Sequence, residues 1–277
     1  MNIGIIGVGT MGLGITHAFA VKEKYTVLVC DIDLETAEKG ITRLAAKLQK
    51  SVEKGKLEDA TAKNILSRIK AGTLEQFDSC DLVIEAAVES IELKRQLFGK
   101  LQSICPKETL FATNTSSLSI SEIGQGLDRD VVGMHFFNPA EIMKLVEIIS
   151  GTNTTPETAE KIKQIAEDIG KTPVFVKEAP GFVVNRILLP MINEAIGVFA
   201  AGTASADDID TAMKLGANHP IGPLALADLI GLDICLAIME VLHKETGDDK
   251  YKPHPLLEKM TQDGTLGRKS GKGFFSY

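Results

Sequence analysis

Apolar positions in this chain follow two regimes. Up to about residue 180, short apolar runs alternate with longer amphipathic stretches; beyond it the spacing is helical throughout. Asn2 to Ile6 is apolar from Ile3 onward, as in a strand buried on both faces. A glycine cluster and a small-residue helix through Ala20 follow, and then a β-branched run, Thr26 to Cys30, that ends at Asp31. Leu34 to about Ile69 reads as two helices joined around Gly55, longer than a simple crossover needs and therefore a helical insertion after the second strand. Further strands are expected at Asp81 to Ile84, Leu110 to Ala112, Val131 to Phe136 and Leu145 to Ile149. Thr155-Pro156-Glu157 starts a helix, with Thr as N-cap and Pro at the first helical position, and Gly170 stops it. Pro173 to Val176 completes the series as a strand with Pro at its start.

Past the turn Ala179-Pro180-Gly181-Phe182, only helices are expected. Ile187 to Ala200 is apolar, Ser205 to Asp208 forms a capping box ahead of Ile209, and Leu224 to Leu242 is a mostly apolar stretch broken by Gly231. Helices this apolar need burial that a small domain lacks, so a homodimer through the C-terminal helices is expected. The boundaries are 1–180 and 181–277.

Composition narrows the function. The chain is 44% hydrophobic and 24% charged, ordinary for a globular protein, and its net charge of -7 argues against a nucleic-acid partner. No apolar run is long enough to span a membrane, and Met1 leads straight into a strand with no secretory pattern, so a cytoplasmic protein is expected. Cys30, Cys80, Cys105 and Cys235 are scattered, with no metal-ligand spacing; they read as core residues and no metal is expected.

The candidate chemistry starts at Gly7-Val8-Gly9-Thr10-Met11-Gly12, a GxGxxG pattern. It follows a buried strand and opens a helix, and Asp31 closes the next strand 19 positions after Gly12. Gly7 permits the tight turn, Gly9 lets backbone approach a pyrophosphate, and Gly12 lets helix and strand pack closely. The helix N-terminus offers N–H groups and a positive dipole end, with Thr10 and Met11 in its first turn. Asp31 can accept from both ribose hydroxyls and repels the extra phosphate of NADP, so NAD is the expected cofactor. FAD uses the same fingerprint, but further flavin contacts are missing. The fold class is thus a Rossmann-type α/β domain with a mostly parallel sheet, followed by an all-α domain.

Of the five histidines, only His135 falls at the C-terminal end of an expected sheet strand, where such folds bind ligands. Glu147 lies twelve residues on, inside Leu145-Val146-Glu147-Ile148-Ile149. A carboxylate within an apolar strand needs a partner, and an imidazole is a natural one. The pair reads equally as a structural ion pair or as an acid–base dyad.

The blocks around these residues are specific. Met134-His135-Phe136-Phe137-Asn138-Pro139 with Lys144-Leu145-Val146-Glu147, Ala112-Thr113-Asn114-Thr115-Ser116-Ser117, Pro180-Gly181-Phe182-Val183-Val184-Asn185-Arg186 and Asp208 to Gly216 resemble, in order and over the whole chain, the L-3-hydroxyacyl-CoA dehydrogenase family. The resemblance implies an NAD-dependent oxidoreductase acting on an acyl-CoA such as 3-hydroxybutyryl-CoA or acetoacetyl-CoA. It implies that His135 is the general base, that Glu147 orients it, and that Ser116 and Asn185 bond the reacting oxygen or hold the substrate. It puts Glu89, Lys94, Asn114 and Asn138 beside the cofactor, and Arg268 at a position where the family often carries Lys. Read as residues alone, Glu89 and Lys94 fit a solvated helix face with charges at helical spacing, and for Glu89 that reading and a place beside the cofactor stand about even. The insertion carries Lys47, Lys50, Lys54 and Lys56 with only Glu53 against them; alone this is a solvated face, and with the resemblance Lys50 and Lys54 contact coenzyme A. A dehydrogenase of a free 3-hydroxy acid and a non-catalytic NAD-binding protein are the alternatives.

Overall fold

A computed structural model describes all 277 residues. The chain divides into two compact units, Met1–Glu178 and Ala179–Tyr277.

The first unit is built on one eight-stranded sheet. The elements run β1 (Asn2–Ile6), α1 (Thr10–Ala20), β2 (Thr26–Cys30), α2 (Leu34–Glu53), α3 (Asp59–Ser67), β3 (Ile69–Ala71), β4 (Leu82–Glu85), α4 (Ile91–Ile104), β5 (Leu110–Thr113), α5 (Ile120–Ile123), β6 (Val131–Phe136), β7 (Leu145–Ser150), α6 (Pro156–Asp168) and β8 (Thr172–Lys177). The strand order is β3-β2-β1-β4-β5-β6-β7-β8. The order reverses beside β1, so the C-terminal ends of β1 and β4 flank the crevice where dinucleotides bind in doubly wound sheets. The central strands are buried from end to end, which accounts for their unbroken apolar runs.

One feature differs from the sequence expectation, and one strand pair is where the expected mostly parallel sheet departs from parallel. The stretch assigned to helix up to Ile69 ends at Ser67, and Ile69–Ala71 becomes a three-residue edge strand parallel to β2. Three residues are too few for a period to show. The β6–β7 pair is antiparallel, whereas β1 to β6 run parallel. Residues 137–144 are all that connect β6 to β7, fewer than the dozen or so residues a parallel crossover takes. The chain must therefore turn back.

The insertion α2–α3 packs onto the sheet through Ala37, Gly40, Leu44 and Leu48, all buried at helical spacing. It also braces the glycine turn. A Cβ at Gly40 would meet Val8 Cβ at 2.5 Å, and Arg43 Nη2 donates to the Val8 carbonyl at 2.7 Å.

The second unit is helical: α7 (Val184–Ala200), α8 (Ala206–Gly216), α9 (Pro223–Ile230), α10 (Leu232–Thr246) and α11 (Pro255–Gln262). Its own core gathers Leu189, Ile192, Ile196, Leu224, Cys235, Met239 and Leu242. Two buried carboxylates replace missing backbone partners. Asp210 accepts from the N–H groups of Leu224 and Ala225 at the start of α9, and Asp228 accepts from those of Phe274 and Phe275 and from the Tyr277 hydroxyl. At α8 the expected capping box is half made. Ser205 Oγ accepts from the Asp208 N–H, but it also donates to the Asp208 carboxylate, which is thereby held at the hydroxyl.

Candidate active site

The glycine turn is sterically committed. Gly7 has φ +101°, a conformation that glycine alone adopts readily, and a Cβ at Gly12 would lie 1.9 Å from the Gly7 carbonyl oxygen. At Gly9 a Cβ would meet nothing within 4 Å: the turn opens there onto a cradle that a side chain would fill. Gly9 is also the N-cap of α1 and caps nothing with a side chain, so the first-turn N–H groups of α1 face outward for an anion. A cavity of about 380 Å³ lies alongside, lined by Val8, Gly9, Thr10, Leu13, Arg43 and Lys47 among others. Asp31 is anchored at the end of β2: Oδ2 accepts from the Val8 N–H at 2.7 Å and Oδ1 from the Ile32 N–H at 2.8 Å. The carboxylate thus holds the turn and a fixed negative charge beside it, a donor set and a cradle that fit NAD.

On the far side of the crevice, β6 and β7 bring the two candidate acid–base residues together. Antiparallel register sets His135 opposite Glu147 on one face of the sheet. His135 Nδ1 lies 2.8 Å from Glu147 Oε2, and the two are only 5% and 1% exposed. An ionised carboxylate only accepts, so the imidazole proton sits on Nδ1 and the lone pair on Nε2. Phe137 packs on the ring at 4.5 Å between centroids. Lys171 holds the connection behind them, donating to the carbonyls of Ala140 and Met143. Burial pushes its ammonium below the usual lysine range, and Lys144 adds to the effect.

Between these two places lies a cluster at the ends of β4 and β5. Lys94 is buried, not part of a solvated helix face. Its ammonium bonds both oxygens of Glu85, at 2.7 and 2.8 Å, and lies 3.2 Å from Glu89. Glu89 is exposed, and its Oε1 accepts from Thr115 Oγ1 at 2.6 Å and from the Ser116 N–H at 2.9 Å and Oγ at 3.3 Å. Glu85, which the sequence reading passed over, is fully buried at the end of β4. A carboxylate ending an otherwise apolar strand, nine residues before a lysine, was the available signal. Asn114 Oδ1 accepts from the Phe136 N–H, tying the β5 end to the β6 end, and Asn138 is exposed in the β6–β7 connection.

The remaining candidates are placed as follows. Lys50 is exposed on the last turn of α2, and Lys54, also exposed, is the C-cap of that helix. Lys47 is not an unopposed charge as its local sequence suggests, because Glu141, distant in sequence, pairs with it at 2.6 Å. Asn185 is buried in the first turn of α7. Arg268 stacks over the Tyr277 ring, 5.0 Å from its centroid, within the second unit. Burial pushes the thiols of Cys30 and Cys105 up to about 11 and those of Cys80 and Cys235 up to about 12, so all four are inert core groups.

Residues 2–179 match the family model for the 3-hydroxyacyl-CoA dehydrogenase NAD binding domain, and residues 181–277 match that of the C-terminal domain. The chain is 50% identical to a 3-hydroxybutyryl-CoA dehydrogenase of Clostridioides difficile, across 100% of this chain and 99% of that one. It is 39% identical to the human mitochondrial hydroxyacyl-coenzyme A dehydrogenase, across 100% of this chain and 91% of the relative. The crystal structure of (S)-3-hydroxybutyryl-CoA dehydrogenase from Ralstonia eutropha superposes with a TM-score of 0.93 at 46% identity, covering 100% of this chain and 98% of that one.

Proposed function

The chain belongs to the 3-hydroxyacyl-CoA dehydrogenase family, and on that premise we propose that it interconverts (S)-3-hydroxybutyryl-CoA and acetoacetyl-CoA with NAD as cofactor. The observation that carries this reading is the buried, in-register His135–Glu147 pair at the sheet edge that also bears the glycine turn.

The bound dinucleotide supplies the hydride acceptor; the residues of the chain manage the proton and the charge. Glu147 holds the proton on Nδ1 of His135, which aims the Nε2 lone pair at the 3-hydroxyl. Nε2 takes that proton as C3 is oxidised, and Glu147 stabilises the imidazolium that forms. In the reductive direction the imidazolium returns the proton. Ser116 is held through its backbone N–H, which donates to Glu89, and its hydroxyl, with a single proton, turns from Glu89 to donate to the reacting oxygen. Asn185, from the second unit, is proposed as a further donor on the strength of its sequence block alone. Gly7, Gly9, Thr10, Met11, Gly12 and Asp31 hold the adenosine pyrophosphate side of NAD, and Glu89, Asn114 and Asn138 the other. Lys94 acts behind Glu89, since its ammonium is buried against Glu85. Lys50 and Lys54 attract the phosphates of coenzyme A. Arg268 is assigned to the cofactor by resemblance alone.

We place the protein in the cytoplasm, as four free buried thiols suit a reducing compartment. No helix is long and apolar enough to cross a membrane. A homodimer through the second unit is supported by large apolar side chains left exposed there, including Ile187, Leu229 and Ile234. Sedimentation that finds only monomer at micromolar concentration refutes it.

The deciding experiment follows NADH oxidation at the nicotinamide absorbance band with acetoacetyl-CoA and, separately, with free acetoacetate. Turnover with the thioester alone is expected. Preference for the free acid refutes the substrate, and binding of NADH without turnover of either refutes the activity.

A further inference from the structure

We propose that Glu85 is a positioning residue that sets the preference of the site for NAD+ over NADH, a reading that rests on the cofactor placement above. Every contact of Glu85 is with a donor: two bonds from Lys94, one from Thr113 Oγ1 at 2.6 Å, and one from the Ala87 N–H at 2.7 Å. That is the environment of an ionised carboxylate. Glu85 therefore cancels the ammonium of Lys94, which is itself 1% exposed and reaches no other anion but Glu89. The three groups sum to one negative charge, and the exposed member, Glu89, carries it into the crevice at the ends of β4 and β5.

Two forms of the cofactor compete for that crevice, and they differ by the positive charge on the oxidised nicotinamide ring. A net anion on the nicotinamide side stabilises the oxidised form selectively and leaves the neutral reduced ring nearly unaffected. Without Glu85, Lys94 would neutralise Glu89 and the selectivity would vanish, although no group that faces the cofactor had changed. Glu85 thus acts at a distance from the ring, through Lys94, on the charge state presented by Glu89. The same bonds order Ser116, because Glu89 is the acceptor for its N–H and Oγ.

The test is the ratio of dissociation constants for NAD+ and NADH, measured by titration on folded protein without substrate. Glu85→Gln should weaken NAD+ relative to NADH on the order of fivefold, the scale on which one unit charge acts across a partly solvated site. Glu85→Gln with Lys94→Met restores one net negative charge, and its ratio should return to within about twofold of the wild type. A ratio unmoved by Glu85→Gln, or lost equally in the double variant, overturns the proposal, since a merely structural role would weaken both cofactors together. If thermal melts show that Glu85→Gln does not fold, the exposed Glu89→Gln takes its place beside the double variant: a shifted ratio in the first and a kept ratio in the second is expected, and any other pattern overturns the proposal. Wild-type turnover of acetoacetyl-CoA tests the parent function separately, so failure of one reading is distinguishable from failure of the other.

Discussion

Glu147→Gln separates a catalytic pair from a structural one. The substitution preserves side-chain volume in a site that is 1% exposed, and it removes a buried charge without leaving an ion uncompensated, because His135 can remain neutral. The fold should therefore lose no more than about 1 kcal/mol. Activity should fall much further. Proton abstraction makes His135 an imidazolium 2.8 Å from this side chain. A hydrogen bond to a charged group contributes about 1.5–3 kcal/mol against about 0.5–1.5 for a neutral one, so losing the charge in the transition state costs about 1.3 kcal/mol between the midpoints of those ranges, or roughly tenfold. A glutamine that turns its amide nitrogen toward Nδ1 forces the proton to Nε2, the wrong tautomer for a base, and the loss then approaches ~10⁴-fold. The assay is kcat for (S)-3-hydroxybutyryl-CoA oxidation alongside the dissociation constant for NAD+ and a thermal melt. Wild-type kcat, or a loss of activity that merely tracks a loss of stability, refutes the reasoning.

Four further outcomes are expected. Asp31→Ala should weaken NAD by roughly 1–2 kcal/mol and relax discrimination against NADP, read from paired titrations, because it removes the anchor of the Val8 N–H as well as a fixed charge. Gly12→Ala drives a Cβ to 1.9 Å from the Gly7 carbonyl, so NADH binding should be lost before the fold is; unaltered affinity would contradict the packing. Lys50→Gln with Lys54→Gln should raise KM for acetoacetyl-CoA several-fold while kcat stays within about twofold, with the difference shrinking as salt is added. His17, on α1, has its pKa held below 6.5 by burial, against the opposing pull of Glu141 and with Lys47 and Lys171 nearby. Below pH 6.5 the unfolded chain takes up a proton that the native state refuses, so stability is fully present above that pH and falls as pH drops toward the lowered value. The slope is at most about 1.4 kcal/mol per pH unit, and urea midpoints for His17→Gln should be flatter across that window.

The sequence carried the cofactor half of the site because its constraints are local. Gly12 acts on the Gly7 backbone five residues away and Gly7 takes a positive φ of its own, while Asp31 is placed by the strand that ends there, so spacing states most of the geometry; only the close approach of Gly7 to Ala86 comes from elsewhere in the chain. Lys94 shows the opposite case. Its neighbours Ile91, Glu92 and Leu93 give it the look of a solvated helical residue, yet its partner Glu85 is on another element and buries it. Likewise Lys47 gains Glu141 only through the tertiary fold. Charges are legible in a sequence, but their neutralisation is set by which elements pack, and no local pattern reports that.

The His135–Glu147 pair falls between these cases, and its cause is the connection between the strands. Residues 137–144 are too few for a crossover helix, which imposes an antiparallel pair and folds β7 back along β6. Register then decides whether Glu147 faces His135, and a slip of one residue would turn every β7 side chain to the opposite face. Val146 and Ile148, buried on either side of Glu147 along the strand, pack into the core with Met134 and Phe136 and oppose such a slip. Twelve residues of spacing were compatible with a pair but did not require one. The short connection supplies the direction and the apolar neighbours supply the register, so the acid–base geometry is specified by residues that do no chemistry themselves.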